Sequence, residues 1–298
     1  MKNILLTGAT GFLGNILVKS LFNKGYSLFV LARPEEQTNS ISNVAQIIRT
    51  DYSIPSLRKN YPYDIDVVIH LAWSGVNGPL KGDENVQQQN IELALRVAAI
   101  SKERKTKRFI GIGTITELAY LNNKGNSSPS ILYGRYKYKC FEELASFFDG
   151  SGTTFLWLRL ANLYSAHNLS GNILGYTFGK LMENQQAEFG PCDQYYDFVY
   201  VEDEIDAISR YIELNRIVNN SPYLGSNSPQ LLRFYIETIG KLFKKKKLLK
   251  IGAKETDNIA FCKEMFDCSN SFEEIGNYIS LPFEERILQI YKTVCKNS

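Results

Sequence analysis

The sequence predicts an α/β protein, a doubly wound parallel sheet followed by a smaller C-terminal α/β domain. Three features carry this expectation. Short apolar runs alternate with stretches of helical period, a glycine-rich turn follows the first run directly, and the rhythm loosens after about residue 165.

The runs are Ile4-Leu5-Leu6, Leu28-Phe29-Val30-Leu31, Val67-Val68-Ile69-His70-Leu71, Phe109-Ile110-Gly111-Ile112 and Phe155-Leu156-Trp157-Leu158. A strand covered on both faces shows no polar alternation, so these read as buried strands of a parallel sheet. Ile47-Ile48-Arg49 is a shorter candidate. Residues 12–24, 85–102 and 133–148 carry apolar side chains at helical spacing. In the second half, 171–183, 202–214, 231–242 and 283–294 read as helices and 197–201 as a strand. The expected division is 1–165 and 166–298, with about 195–215 returning to the first unit.

Composition narrows the class. With 298 residues, 44% of them hydrophobic, the chain can bury a large core, and a net charge of +3 implies no bulk field for nucleic acid or an anionic membrane. The run Lys244-Lys245-Lys246-Lys247 reads as a solvated helix end. Five scattered cysteines, Cys140, Cys192, Cys262, Cys268 and Cys295, lack metal-ligand spacing, and only His70 and His167 could add imidazole, so no metal site is expected. The first apolar run is too short for a signal peptide and no run is long enough to span a membrane, which fits a cytoplasmic protein.

Thr7-Gly8-Ala9-Thr10-Gly11-Phe12-Leu13-Gly14 lies between the first strand and the first helix. Gly8 suits a tight turn, Gly11 lets a pyrophosphate approach the backbone, and Gly14 lets helix and strand pack closely, with the helix amino end facing the phosphates. The expectation is a Rossmann dinucleotide site built from Gly8, Thr10, Gly11, Phe12, Leu13 and Gly14. Arg33, ending the second strand, offers a cation to an adenosine 2'-phosphate and favours NADP(H) over NAD(H), although a surface arginine beside bound NAD fits the same position. Asp51-Tyr52 could meet the adenine, or Asp51 could be a turn aspartate.

Tyr133 and Lys137 stand four apart on a helix and share a face, so the ammonium is expected to lower the phenol's pKa towards the working range. Thr114, ending a strand, could bond the same reacting oxygen.

These motifs, with His70-Leu71-Ala72, Asn90, Leu158-Arg159-Leu160-Ala161-Asn162-Leu163-Tyr164 and Asp197-Phe198-Val199-Tyr200-Val201-Glu202-Asp203, resemble the extended short-chain dehydrogenase/reductase superfamily. Within it the likeness is to the nucleotide-sugar epimerases, dehydratases and ketoreductases. The resemblance implies that Thr114, Tyr133 and Lys137 are catalytic, that Lys137 also binds the nicotinamide ribose, and that Leu71 and Ala72 line the cofactor crevice. It also implies a homodimer joined through the helices at 85–102 and 133–148, on faces carrying Leu93, Val97, Phe141 and Leu144, which fit ordinary core equally well.

The dehydratases of that group carry Asp-Glu after the catalytic threonine, whereas this chain has Ile115-Thr116, so dehydration is disfavoured and Thr116 becomes a substrate contact. Glu117, one place further along, would point to the opposite face of a strand and reads as structural. Arg33 tips the expectation to an NADPH-dependent reductase of a nucleotide-linked 4-keto-6-deoxy sugar. A 4-epimerase with tightly held NAD and a catalytically silent NADP(H)-sensing protein are the alternatives. Residues 251–258 and 267–276 look like the substrate-domain end of the CDP-abequose synthase type of reductase. Tyr196 stands where many relatives have a diphosphate-gripping arginine, so Lys254 or Lys180 is expected to take that charge. Asn162 is the expected polar contact near nicotinamide and sugar, or a turn asparagine, and His167 reads as a loop residue.

Overall fold

The computed structural model describes residues 1–166, 171–255, 259 and 261–296. The first half contains β1 (Asn3–Thr7), α1 (Phe12–Asn23), β2 (Ser27–Ala32), β3 (Gln46–Arg49), α2 (Ile54–Asn60), β4 (Val67–His70), α3 (Glu84–Glu103), β5 (Arg108–Thr114), α4 (Thr116–Asn122), α5 (Pro129–Phe148) and β6 (Thr154–Leu160). Next come β7 (Asn162–Tyr164), α6 (Ile173–Met182), β8 (Ala187–Phe189), β9 (Tyr195–Tyr196), β10 (Phe198–Tyr200), α7 (Val201–Glu213), β11 (Tyr223–Leu224) and β12 (Gln230–Leu231). The remaining elements are α8 (Leu232–Leu242), β13 (Leu249–Ile251), α9 (Ser269–Ile275) and α10 (Phe283–Lys296).

Seven strands form one parallel sheet in the order β11-β6-β5-β4-β1-β2-β3. Strand order reverses between β1 and β4, where Thr7 lies opposite His70. A crevice opens there at the carboxyl ends of the strands, the place where such sheets take ligands. Alternate residues feed opposite faces. Ile4 and Leu6 pack with Leu17 and Val18 of α1 and Ile205 and Ile208 of α7. Leu5 packs with Ile91 and Val97 of α3 and Leu144 of α5. Burial on both faces is why these strands are apolar throughout.

A separate apolar cluster joins Phe178 of α6, Phe198 of β10, Tyr235 and Ile239 of α8, and Ile287 of α10. Leu93, Val97 and Leu144, expected on a dimer face, lie in the chain's own core, and Phe141 packs partly against it. What α3 and α5 show outward includes charged pairs such as Arg135 with Glu84. Among the described residues no helix is long and apolar enough to cross a membrane.

Candidate active site

The glycine turn is built for a close approach. Gly8 has φ +68, and a Cβ there would lie 2.6 Å from the Ala72 nitrogen, so only glycine lets the β1 and β4 ends meet. At Gly14 a Cβ would stand 2.3 Å from the Gly8 carbonyl. Gly11 is different, because it is exposed and meets nothing closer than 3.4 Å, which leaves open space over the backbone. Helix α1 begins at Phe12, with Gly11 as an N-cap that offers no side-chain acceptor, and with no acidic residue in the first turn. Its free N–H groups and dipole therefore suit an anionic group, and this cradle fits the pyrophosphate of a dinucleotide.

The end of β2 is more crowded than the sequence reading expected. Arg33 is half-buried, with its guanidinium 5.7 Å from the centre of the Tyr52 ring. Glu36 accepts from the Thr10 hydroxyl at 2.9 Å and from the Arg33 N–H at 3.3 Å. A carboxylate therefore stands at the mouth of the glycine turn beside Arg33. Beside it, the Tyr52 phenol is buried and donates to the Leu31 carbonyl at 2.7 Å. Asp51 is exposed and accepts the Ser53 N–H at 2.9 Å, which is the turn-aspartate alternative.

Across the crevice, the Ala72 N–H donates to Thr7 Oγ1 at 3.2 Å, and half-buried Leu71 continues the wall. Thr114 ends β5, and α5 lies against the segment just beyond it. Gly134 makes that contact possible, since a Cβ there would stand 2.3 Å from the Thr116 carbonyl. Tyr133 is thereby brought up to Thr114, whose Oγ1 is 3.2 Å from Thr116 Oγ1. One turn along α5, Lys137 is buried and donates to the Ile112 carbonyl at 2.8 Å.

Electrostatics at this cluster run against one expectation. Burial, aided by the charge of Glu117, pushes the Tyr133 phenol up, and the Thr114 side chain only partly opposes it. Desolvation of a would-be phenolate outweighs the pull expected from the neighbouring ammonium, so Tyr133 is held as the protonated phenol. The same burial brings the Lys137 ammonium down to about 8, against the favourable influence of Glu117.

Glu117 is not on a strand. The chain turns into α4 immediately after Ile115, and the first turn of that helix sends the carboxylate inward. There it accepts from the Thr114 N–H at 2.8 Å, from Trp157 Nε1 at 3.0 Å and from Arg159 Nε at 2.8 Å. Sequence reading also passed over Trp73, Gln87, Lys81 and Glu36. Trp73 lies against both Tyr133 and Lys137, and Lys81 Nζ sits 5.3 Å from the centre of the Tyr133 ring. The available signal was position, because Trp73 directly follows His70-Leu71-Ala72.

The expected substrate contacts are not gathered together. Asn162 donates to the Asp197 carbonyl at 3.1 Å, tying β7 to the β10 segment. Tyr196 packs in an aromatic group with Phe198 and Phe261, at ring separations of 5.4 and 5.6 Å. Lys180 donates to Gln185 at 2.7 Å at the end of its own helix. Lys254, 5.4 Å from the centre of the Tyr176 ring, lines an open cavity of about 680 Å³ with Asn172, Tyr176, Glu188 and Phe189. His167, and Thr256, Asp257 and Asn258 of the 251–258 stretch, lie outside the described residues.

Comparison with known proteins agrees with this architecture. Residues 4–223 match the model of the NAD dependent epimerase/dehydratase family. A CDP-abequose synthase of Salmonella muenchen is 26% identical over 71% of this chain and 70% of its own length. A dTDP-6-deoxy-L-talose 4-dehydrogenase (NAD(+)) of Aggregatibacter actinomycetemcomitans is 26% identical over 79% of this chain and 88% of its own. Among solved structures, the UDP-glucose 4-epimerase of Thermotoga maritima superposes with a TM-score of 0.81 at 20% identity, covering 99% of this chain and all of that one. At that identity the likeness is one of fold.

Proposed function

Because the chain belongs to the NAD dependent epimerase/dehydratase family, we propose that it reduces a nucleotide-linked 4-keto-6-deoxy sugar, using NADPH as reductant. The observation that carries this reading is the packing of α5, with Tyr133 and buried Lys137, against the end of β5 at Thr114. The relatives named CDP-abequose synthase and dTDP-6-deoxy-L-talose 4-dehydrogenase support the substrate class.

When bound, the nicotinamide supplies hydride to the keto carbon. Tyr133 gives its phenolic proton to the carbonyl oxygen, so that one C–H and one O–H bond form and the carbonyl becomes a secondary alcohol. Thr114 hydrogen-bonds that oxygen and steadies its developing charge. Lys137 favours the transient phenolate and donates to ribose hydroxyls at its edge of the crevice. Ile115 and Thr116 provide no second acid–base pair, which disfavours loss of water.

Residues 166–298 are proposed to hold the substrate and 1–165 the cofactor, with 195–215 packed back on the first unit. The Lys254 cavity is the proposed place for the anionic nucleotide portion, in place of the arginine that Tyr196 lacks. Two copies of the chain are expected to associate. Arg33 supports NADPH, while Glu36 favours NADH as a second reading, since a carboxylate at this position accepts from ribose hydroxyls and repels a 2'-phosphate.

The test is oxidation of NADPH and of NADH against a panel of 4-keto-6-deoxy sugars linked to CDP, GDP, UDP and dTDP. Turnover with at least one member is expected. A purified protein that carries tightly held NAD, interconverts 4-hydroxy epimers and consumes no reduced nucleotide would replace reduction by epimerisation.

A further inference from the structure

Both tryptophans of the chain flank one ammonium. Lys137 Nζ lies 3.8 Å from the centre of the Trp73 ring and 5.6 Å from that of Trp157. Trp73 also meets Tyr133 edge-on, with ring centres 6.4 Å apart. The indole is itself held, since its Nε1 donates to Gln87 Oε1 at 2.7 Å. Gln87 is fully buried on α3, and its Nε2 donates to the carbonyls of Gly75 and Leu80 at 3.1 and 3.2 Å. One glutamine thus fixes the tryptophan and the loop that follows it.

A buried ammonium on a carbonyl acceptor has lost most of its water, which favours the neutral amine. The groups facing Lys137 come from several elements. Glu117 of α4 favours the charge, but its carboxylate is shared with the Thr114 N–H, Trp157 and Arg159 of β6. Cys140 and Tyr133 lie on its own helix, His70 of β4 is close enough to be depressed by it, and Lys81 stands over the Tyr133 ring. Against that background the Trp73 face is a close, desolvated partner for the cation, worth about one pKa unit.

We propose that Trp73, held by Gln87, is a positioning residue that keeps Lys137 cationic and fixed beside Tyr133. This rests on the reading of Lys137 as part of the proton-transfer group, yet its test needs no turnover. The midpoint of Lys137 is followed in the whole chain by the pH dependence of its 13Cε resonance, assigned by its loss in Lys137→Arg. Trp73→Leu removes the π face and is expected to lower the midpoint by about one pH unit, while Trp73→Phe, with a weaker face, lowers it by less than half as much. Gln87→Leu, which frees the indole, shifts it in the same direction. An unchanged midpoint in folded Trp73→Leu overturns the proposal. Should that variant not fold, Trp73→Phe decides, a measurable fall supporting the proposal and none overturning it. A wild-type protein that turns over no keto sugar sinks the functional reading alone, because the lysine midpoint still reports on Trp73.

Discussion

The carboxylate of Glu117 accepts the main-chain N–H of Thr114 at 2.8 Å while holding Arg159 Nε at 2.8 Å on its other oxygen. Glu117 is completely buried and Arg159 nearly so. Thr114 is therefore anchored to a desolvated ion pair rather than to solvent-exposed turn geometry.

Breaking such a pair on one side strands a charge. Glu117→Leu is expected to cost about 3–5 kcal/mol of folding stability, whereas Glu117→Gln keeps an acceptor for Thr114 and costs less. Urea denaturation of both variants measures this. A loss below about 1 kcal/mol in Glu117→Leu would show that Arg159 is satisfied without its partner.

Tyr133→Phe removes one oxygen from an otherwise retained ring. Turnover in the keto-sugar assay should fall by about 10²- to 10⁴-fold, the usual worth of a positioned general acid. Nucleotide binding, followed by fluorescence of the reduced cofactor, should change little, because the glycine turn and Lys137 remain. Retained turnover would assign the proton donor elsewhere.

Much of this was legible because rigid local geometry carried it. The buried strands announced themselves through uninterrupted apolar runs, and Tyr133 and Lys137 fell on one helix face because four residues make about one turn. The failures have a common physical origin. Glu117 reads as a strand residue because seven-residue α4, which follows directly on β5, is too short to show a helical period, although its structural role agrees with its buried pairing to Arg159. Two-residue β11 extends the sheet at its β6 edge with almost no sequence pattern. Trp73 meets Gln87 across a loop, a contact that neither strand nor helix periodicity encodes. The phenol's upward shift likewise depends on burial by the whole fold.

In the proposed reading, cofactor choice turns on Arg33 and Glu36 together. With NADPH, Arg33→Ala is expected to weaken binding about tenfold, as loss of a charged hydrogen bond does, and to leave NADH nearly unaffected. Glu36→Gln should tighten NADPH and weaken NADH. Dissociation constants for both nucleotides in the three proteins decide the matter: tighter NADH binding in the wild type, with Arg33→Ala neutral towards NADPH, would reverse the assignment to NADPH.

His70 supplies an acid-stability test at the base of the crevice. Its ring is fully buried, with Nδ1 2.9 Å from Thr7 Oγ1. The other ring nitrogen, Nε2, is buried with no hydrogen-bond partner among the described residues, so a second ring proton finds no acceptor there. Burial, with the Lys137 charge nearby, pushes the imidazole down to about 3, against an ordinary value near 6.5. Between those values the unfolded chain binds the proton and the folded chain does not. The stabilisation is thus complete above about pH 6.5 and is lost as pH falls towards 3, at up to about 1.4 kcal/mol per unit. His70→Asn keeps a short polar acceptor without this titration. Urea midpoints from pH 7.5 to 4.5 should therefore fall less steeply in the variant than in the wild type, by roughly one proton's worth, and equal slopes would show that His70 is free to charge in the folded state.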